Sequence, residues 1–233
     1  MTITPEMLDV LQQAIRTHGP GSSLSLVLAG STRTVSSPGV KPSNRAVILD
    51  HQGNEILSQS KLTRWNLTEE LCNRYDLPSP AARTLSEYIE VGAEFTVVEV
   101  PGVGRVAVLI CEDLGRSEPG RWVRRHLLLD LQFTPVMDSD LHLARWAATR
   151  GAEAACEGGC RVIVANSLPL THRQNHVNVR AGATGRVLHD CGIGLLFERD
   201  GARGRGAVLR VPLNATGTVA EVIDWDPSSW STI

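Results

Sequence analysis

Lysine is nearly absent. Of 23 basic residues in a chain of 233, Lys41 and Lys61 are the only lysines, and the rest are arginines. Arginine keeps its proton under all ordinary conditions, whereas lysine is a compact charge that can give its proton up. A retained lysine therefore invites a chemical reading. Lys41, in GVKPSN, reads as solvated surface; Lys61 closes a strand pattern. Long apolar runs are missing as well: none approaches the roughly 20 residues of a membrane span. The first residues, MTITPEMLDVLQQAIRTHG, carry acids where a secretory signal needs an apolar run, so a cytoplasmic protein with no membrane partner is expected. Net charge is only −2, which excludes a nucleic-acid binder relying on bulk positive charge. RDGARGRG and Arg124-Arg125 read instead as a hairpin turn and a solvated helix face. The five cysteines, an odd number at irregular spacing, form no disulfide framework. Cys156 and Cys160 enclose EGG without a second ligand pair, so no metal and no cofactor is expected. They read as a helix end at Gly158-Gly159 followed by a strand.

What is present is ordinary globular material, with 42% hydrophobic and 21% charged residues. The chain reads as a single domain over 1–233, either whole or part of a longer polypeptide. Thr4-Pro5-Glu6 opens a helix with a cap, a first-turn proline and an acid at the positive end, and HGPG ends it. SLSLVLAGS reads as a strand entering a core. RAVILDHQGNEILSQSK reads as a hairpin turning at His51-Gln52-Gly53 and ending at Lys61. Short helices are expected around 68–75 and 80–90. EFTVVEVPGVGRVAVLIC reads as a second hairpin, turning at Pro101-Gly102. Residues 118–133 have no assignable pattern. A helix is expected over 138–159, a buried strand over 160–167, a loop with a turn and short strand over 171–192, and a last hairpin over 193–213. Hairpins interleaved with helices fit layered sheets covered by helices.

The segment GRVAVLICEDLG carries the sharpest question. An apolar strand ends on Cys111, and two acids follow at once. A free thiol titrates near 8.5, and adjacent carboxylates push it higher. Cys111 is therefore either inert packing or a nucleophile that needs a nearby cation or base. Among the candidates for that partner, Lys61 also stands at the end of a strand. Trp65 and Trp146 read as packing.

ILDHQGNEILSQSKLTRWNLTEE, followed about 50 residues later by GRVAVLICEDLG, resembles the carbon–nitrogen hydrolase (nitrilase-like amidase) superfamily. LSLVLAGS, ATRGAEAACEGGCRVIVANS and AGATGRVLHD are similar to further segments of that family, so the resemblance spans roughly residues 24–213. It implies an α/β fold, a four-layer α-β-β-α sandwich, here without the usual N-terminal strand. It also implies a homo-oligomer, or another domain covering the sheet edge.

The resemblance further implies roles. Cys111 attacks an amide or nitrile carbon of a small-molecule substrate, ammonia or an amine leaves, and water hydrolyses the thioester. Lys61 holds positive charge beside the thiolate, and the Glu112 N–H donates to the oxyanion. Glu69 fits the position of a lysine-orienting glutamate, with Glu70 beside it. Glu6 is the one match for the family's general base, and equally a helix-capping acid. Glu70, Arg121, Trp122, Asn166 and Arg173 are expected to contact substrate. The alternative is a catalytically reduced domain of the same fold, used for binding, regulation or assembly.

Overall fold

The computed structural model of the protein describes residues 4–19, 25–33, 39–78, 85–200, 203–213 and 231–232. Helix α1 (Pro5–His18) is capped as the sequence suggests: Thr4 accepts from the Met7 N–H at 3.3 Å, and Pro5 stands in the first turn. Strands β1 (Leu26–Arg33), β2 (Asn44–Asp50) and β3 (Glu55–Ser60) form an antiparallel sheet in that order. The β2–β3 turn is fixed by Asp50, whose carboxylate accepts from the Gln52 and Asn54 N–H groups, each at 2.8 Å. A small ladder of β4 (Asn66–Leu67) and β5 (Leu85–Ser86) flanks α2 (Glu69–Arg74).

The remaining elements build a second sheet and its cover. In chain order they are β6 (Val97–Val100), β7 (Gly104–Val108), α3 (Glu112–Gly115), α4 (Trp122–His126), β8 (Leu131–Val136), α5 (Trp146–Gly158), β9 (Arg161–Asn166), α6 (Pro169–Arg180), β10 (Asp190–Asp200), β11 (Arg203–Pro212) and β12 (Ser231–Thr232). The sheet has seven strands in the order β12-β11-β10-β9-β8-β7-β6. It is mixed: β7, β8 and β9 run parallel, and the other neighbours are antiparallel.

Side-chain alternation sorts these elements into four layers. On β2, Val47 and Leu49 pack with Ala29 against Leu8, Leu11 and Ile15 of α1. Ala46 and Ile48 face the other way, with Leu57, onto Val106, Val108, Ile110 and Phe133 of the second sheet. On β7, Ala107 and Leu109 face α5, packing with its alanines and with Phe197. A strand with a period of two that is covered on both faces must be apolar at every position. That is why VAVLI, Val106 to Ile110, reads as an unbroken run. Helix α5 lies close on β10, since a Cβ on Gly151 would stand 2.4 Å from the Phe197 ring. Gly159, at φ +68, ends α5 in the left-handed cap conformation that favours glycine.

Three expectations change. The helix expected over 138–159 begins only at Trp146, because Asp138 and its neighbours are bound in a loop network described below. The loop expected from 171 onward is mostly helix α6, beginning at Pro169. Its sequence is polar and buries only Leu170 and Thr171, so no apolar stripe announced it. Residues 118–133 contain α4 and the start of β8. Of the expected helix at 80–90, residues 80–84 lie outside the described residues, and Leu85–Ser86 is strand. The glycine-arginine turn at 201–202 lies outside them too. Among the described residues, no helix is long and apolar enough to cross a membrane.

Candidate active site

Pairing between β7 and β8 continues past the regular strand. The Leu109 N–H donates to the Phe133 carbonyl at 3.0 Å, and the Cys111 N–H to the Pro135 carbonyl at 2.9 Å. There the strand breaks. Cys111 has φ 50 and ψ −108, a conformation that residues with a Cβ avoid, at a cost of about 1–3 kcal/mol. Helix α3 starts at the next residue. The strained elbow turns Cys111 out of the strand and into the lining of a cavity of about 490 Å3. Trp65, Tyr75 and Trp146 supply its aromatic residues, and Arg74, Arg116, Arg145 and Arg150 also line it. A second cleft of about 540 Å3, lined largely by apolar residues such as Leu26, Ile56 and Val98, lies between the sheets, and none of the five cysteines lines it.

Lys61 follows β3 and is pinned through its backbone. Its N–H donates to the Asn44 carbonyl at 2.7 Å, and its carbonyl accepts from the Gly92 N–H at 2.8 Å. The side chain is only 2% exposed, and its ammonium is paired with Glu87. Glu87 also accepts from the Trp65 N–H at 3.1 Å and from the Asn44 amide at 3.4 Å. A charge this deep demands such a partner, because an unpaired buried ion costs several kcal/mol. Burial pushes the Cys111 thiol up from about 9.0 to about 11. The Lys61 charge and a hydrogen bond from the Met137 backbone oppose this, and Glu112 and Glu87 add to it. The resting thiol is therefore protonated at neutral pH.

Asp113 ties the two halves of the site together. It is fully buried. Its carboxylate accepts from the Leu62 N–H at 3.0 Å, the Thr63 N–H at 2.8 Å, the Thr63 hydroxyl at 2.6 Å and the Ile110 N–H at 3.3 Å. The residues after Lys61 are thereby clamped to the residue before Cys111. Burial raises the Asp113 carboxyl, with the Thr63 hydroxyl, the Leu62 and Thr63 N–H groups and the Lys61 charge pulling it back. Asp113→Ala strands these donors, and we expect a loss of about 1–3 kcal/mol together with slower alkylation of Cys111. An unchanged denaturant midpoint would remove the clamp from this account.

On the opposite wall, Asp138 accepts from the Ser139 N–H at 2.7 Å and the Trp146 indole at 3.1 Å, and pairs with Arg145. Asn166 braces this loop, accepting from the Asp138 N–H at 2.8 Å and donating to the Asp138 and Gly192 carbonyls, each at 3.2 Å.

A strand-end cysteine, a buried lysine–glutamate pair and a layered sheet sandwich now stand together. The family model for carbon–nitrogen hydrolases matches residues 2–176. The chain belongs to that family.

Solved structures with a similar fold include the NitFhit protein of C. elegans, at 23% identity and TM-score 0.52, over 70% of this chain and 36% of that one. Nit3 of Saccharomyces cerevisiae, a member of the nitrilase superfamily, matches at 15% identity and TM-score 0.47, over 68% of this chain and 49% of that one. An amidase from Nesterenkonia sp. matches at 16% identity and TM-score 0.46, over 69% and 53%. The chain thus spans little more than a third of NitFhit and about half of the other two. No curated protein sequence matches it.

Within this carbon–nitrogen hydrolase fold, the sequence-derived residues divide sharply. Cys111 and Glu112 line the cavity, and Lys61 acts on Cys111 through its charge. Glu6 does not join them. It is exposed in the first turn of α1, where a hydrogen bond to Thr4 holds its carboxyl below the usual range. Glu69 is exposed at the start of α2, and the carboxylate bonded to Lys61 is Glu87. Glu70 pairs with Arg74 at 2.8 Å on the α2 surface. Arg121 is exposed, and Trp122 stacks on His126, their ring centroids 5.0 Å apart. Arg173 reaches the Asp76 carbonyl at 3.3 Å. Among the described residues, none of Glu70, Arg121, Trp122, Asn166 and Arg173 lines the cavity. Trp65 and Trp146, read as packing, do line it. Arg124, read as solvated, is 5% exposed and pairs with Glu153 and Glu157. Glu87 sits in LSEYIE, 26 positions after Lys61, and no local pattern marks it.

Proposed function

We propose that the chain is a cysteine-dependent hydrolase acting on the carbon–nitrogen bond of a small-molecule amide, through a thioester on Cys111. The observation that carries this reading is the strained Cys111 elbow in a cavity wall, subject to the charge of the buried Lys61–Glu87 pair. Sγ forms a bond to the carbonyl carbon while its proton passes to a carboxylate, for which Glu87 is the candidate. The Lys61 ammonium and the Glu112 N–H, which as the first of α3 has no partner within its helix, stabilise the developing oxyanion. The C–N bond then breaks, and the nitrogen leaves as ammonia with the proton returned to it. Water adds to the thioester, its proton goes to the same carboxylate, and the C–S bond breaks to release the acid and restore the thiol. A nitrile would enter the same thioester after adding one water.

The thiol's position sets a pH test. With the thiol at about 11 rather than 9.0, the resting thiolate fraction at neutral pH is roughly a hundredfold lower than for an unshifted thiol. Alkylation of Cys111 by iodoacetamide should therefore rise about tenfold per pH unit and level off only near pH 11. Because the folded thiol is the weaker acid, its contribution to stability is complete below 9.0 and declines as pH rises toward 11. A plateau below pH 8 would contradict the desolvated thiol.

The second reading, a carbon–nitrogen hydrolase domain used only for binding or assembly, draws on the exposed position of Glu6. Ammonia release from a panel of small amides and nitriles separates the two. Release that disappears in Lys61→Arg, which keeps charge but loses the ammonium's shape, supports catalysis. No release from any member supports the binding role.

A further inference from the structure

The cavity at Cys111 is basic in a chain that is not. Four arginines line it, Arg74, Arg116, Arg145 and Arg150, against two acidic residues, Glu112 and Asp138, whereas the chain as a whole carries −2. The two carboxylates are each balanced by one of the four arginines. Asp138 is occupied by the Ser139 N–H, the Trp146 indole and Arg145, and Glu112 pairs with Arg116 at 2.9 Å. The partners of Arg74 and Arg150 are Glu70 and Glu153, one helical turn away on their own helices and outside the cavity lining. Such surface pairs are weak, so these guanidiniums can turn to a ligand at little cost. The Nε of Arg145 is buried and has no hydrogen-bond partner among the described residues. Arg145 caps α5 and Arg150 lies on its second turn, so both charges stand at the positive end of a 13-residue helix.

Resting on the reading of Cys111 as the nucleophile, the geometry points to a substrate that carries a carboxylate besides its scissile amide, with the carboxylate held by Arg145 and Arg150. A planar guanidinium fork matches a carboxylate with two parallel hydrogen bonds. A neutral amide can accept hydrogen bonds from these groups but brings no charge to pair with theirs. The arginines therefore set specificity, while the Lys61–Glu87 pair serves the reaction through its charge on Cys111.

The first experiment needs no turnover. Cys111 is alkylated in parallel with iodoacetate and iodoacetamide, and peptide mass analysis reads the rate at each cysteine. Free cysteine under the same conditions calibrates the ratio, because its thiolate repels the anionic reagent. The iodoacetate-to-iodoacetamide ratio at Cys111 should exceed that of free cysteine by at least about tenfold. It should fall several-fold in Arg150→Gln and in added salt, which screens exposed charge. Arg145→Gln leaves Asp138 without its cation and tests folding too, so the half-exposed Arg150 and Arg116 are the primary substitutions. A wild-type ratio no higher than that of free cysteine overturns the inference, as does a ratio unmoved in Arg116→Gln/Arg150→Gln.

The second experiment compares ammonia release from succinamate and from butyramide. A preference for succinamate of tenfold or more in kcat/KM supports the carboxylate site. Equal turnover of both, with no iodoacetate preference, overturns it and leaves the hydrolase intact. No turnover of either, nor of any member of the amide and nitrile panel, overturns the substrate assignment together with the hydrolase reading, even where the iodoacetate preference persists.

Discussion

Cys111→Ala should abolish ammonia release, with a fall of about 10⁴-fold or more in kcat/KM, the scale on which losing a covalent nucleophile acts. The substitution removes one sulfur from a cavity wall, so the fold should persist, and a melting curve checks this. Cys111→Ser keeps a hydroxyl, yet its acidity is far too low for the same partners to activate it, and it should be nearly as inactive. The elbow adds a stability test. At φ 50 any residue with a Cβ is strained, whereas glycine is not. Cys111→Gly should therefore be more stable than Cys111→Ala by about 1 kcal/mol, although both are inactive. That would mean the protein holds strain at this position for the thiol. Residual turnover above a tenth of wild type in Cys111→Ala would end the nucleophile assignment.

Breaking the Lys61–Glu87 pair should have the largest effect on stability, and its two halves should act on Cys111 with opposite sign. Glu87→Gln leaves an ammonium at 2% exposure without its counter-charge, for which about 3–5 kcal/mol is the usual loss. Lys61→Met leaves Glu87, which is 22% exposed and can draw on water, so its loss should be smaller. The double substitution should be less destabilised than the singles sum to, since neither charge is then orphaned. At the thiol, Lys61 lowers and Glu87 raises the pKa. Lys61→Met should therefore slow Cys111 alkylation at pH 8, and Glu87→Gln should quicken it. Turnover should fall in both. Faster alkylation with lost turnover in Glu87→Gln is the signature of a carboxylate that moves protons. If turnover in Glu87→Gln rises with alkylation, Glu87 only holds the lysine in place.

Some of this was legible because the physics is local. Thr4-Pro5 begins a helix whatever surrounds it, and the Asp50 turn makes a hairpin from short-range hydrogen bonds. The unbroken apolar run of β7 demands cover on both faces. A run that stops at Cys111 beside two acids signals a special strand end, and the near-absence of lysine drew attention to Lys61. Glu6 and Glu69 are both exposed in the structure, and for a common reason. Both acids stand where a helix start favours an acid electrostatically, so their sequence context is explained without any partner in the site.

The sequence alone thus settled the alternation that layers the sheets and the strand end on which a cysteine falls. Only the tertiary structure chose Glu87 as the lysine's counter-ion, drew Asp113 into a clamp across β3 and β7, and gathered Arg74, Arg116, Arg145 and Arg150 around one cavity. Strand and helix periodicity are written over a few residues, because backbone sterics and near-neighbour burial act there. The partner of a buried charge is whichever group the packed layers bring within reach, and no local pattern encodes that meeting.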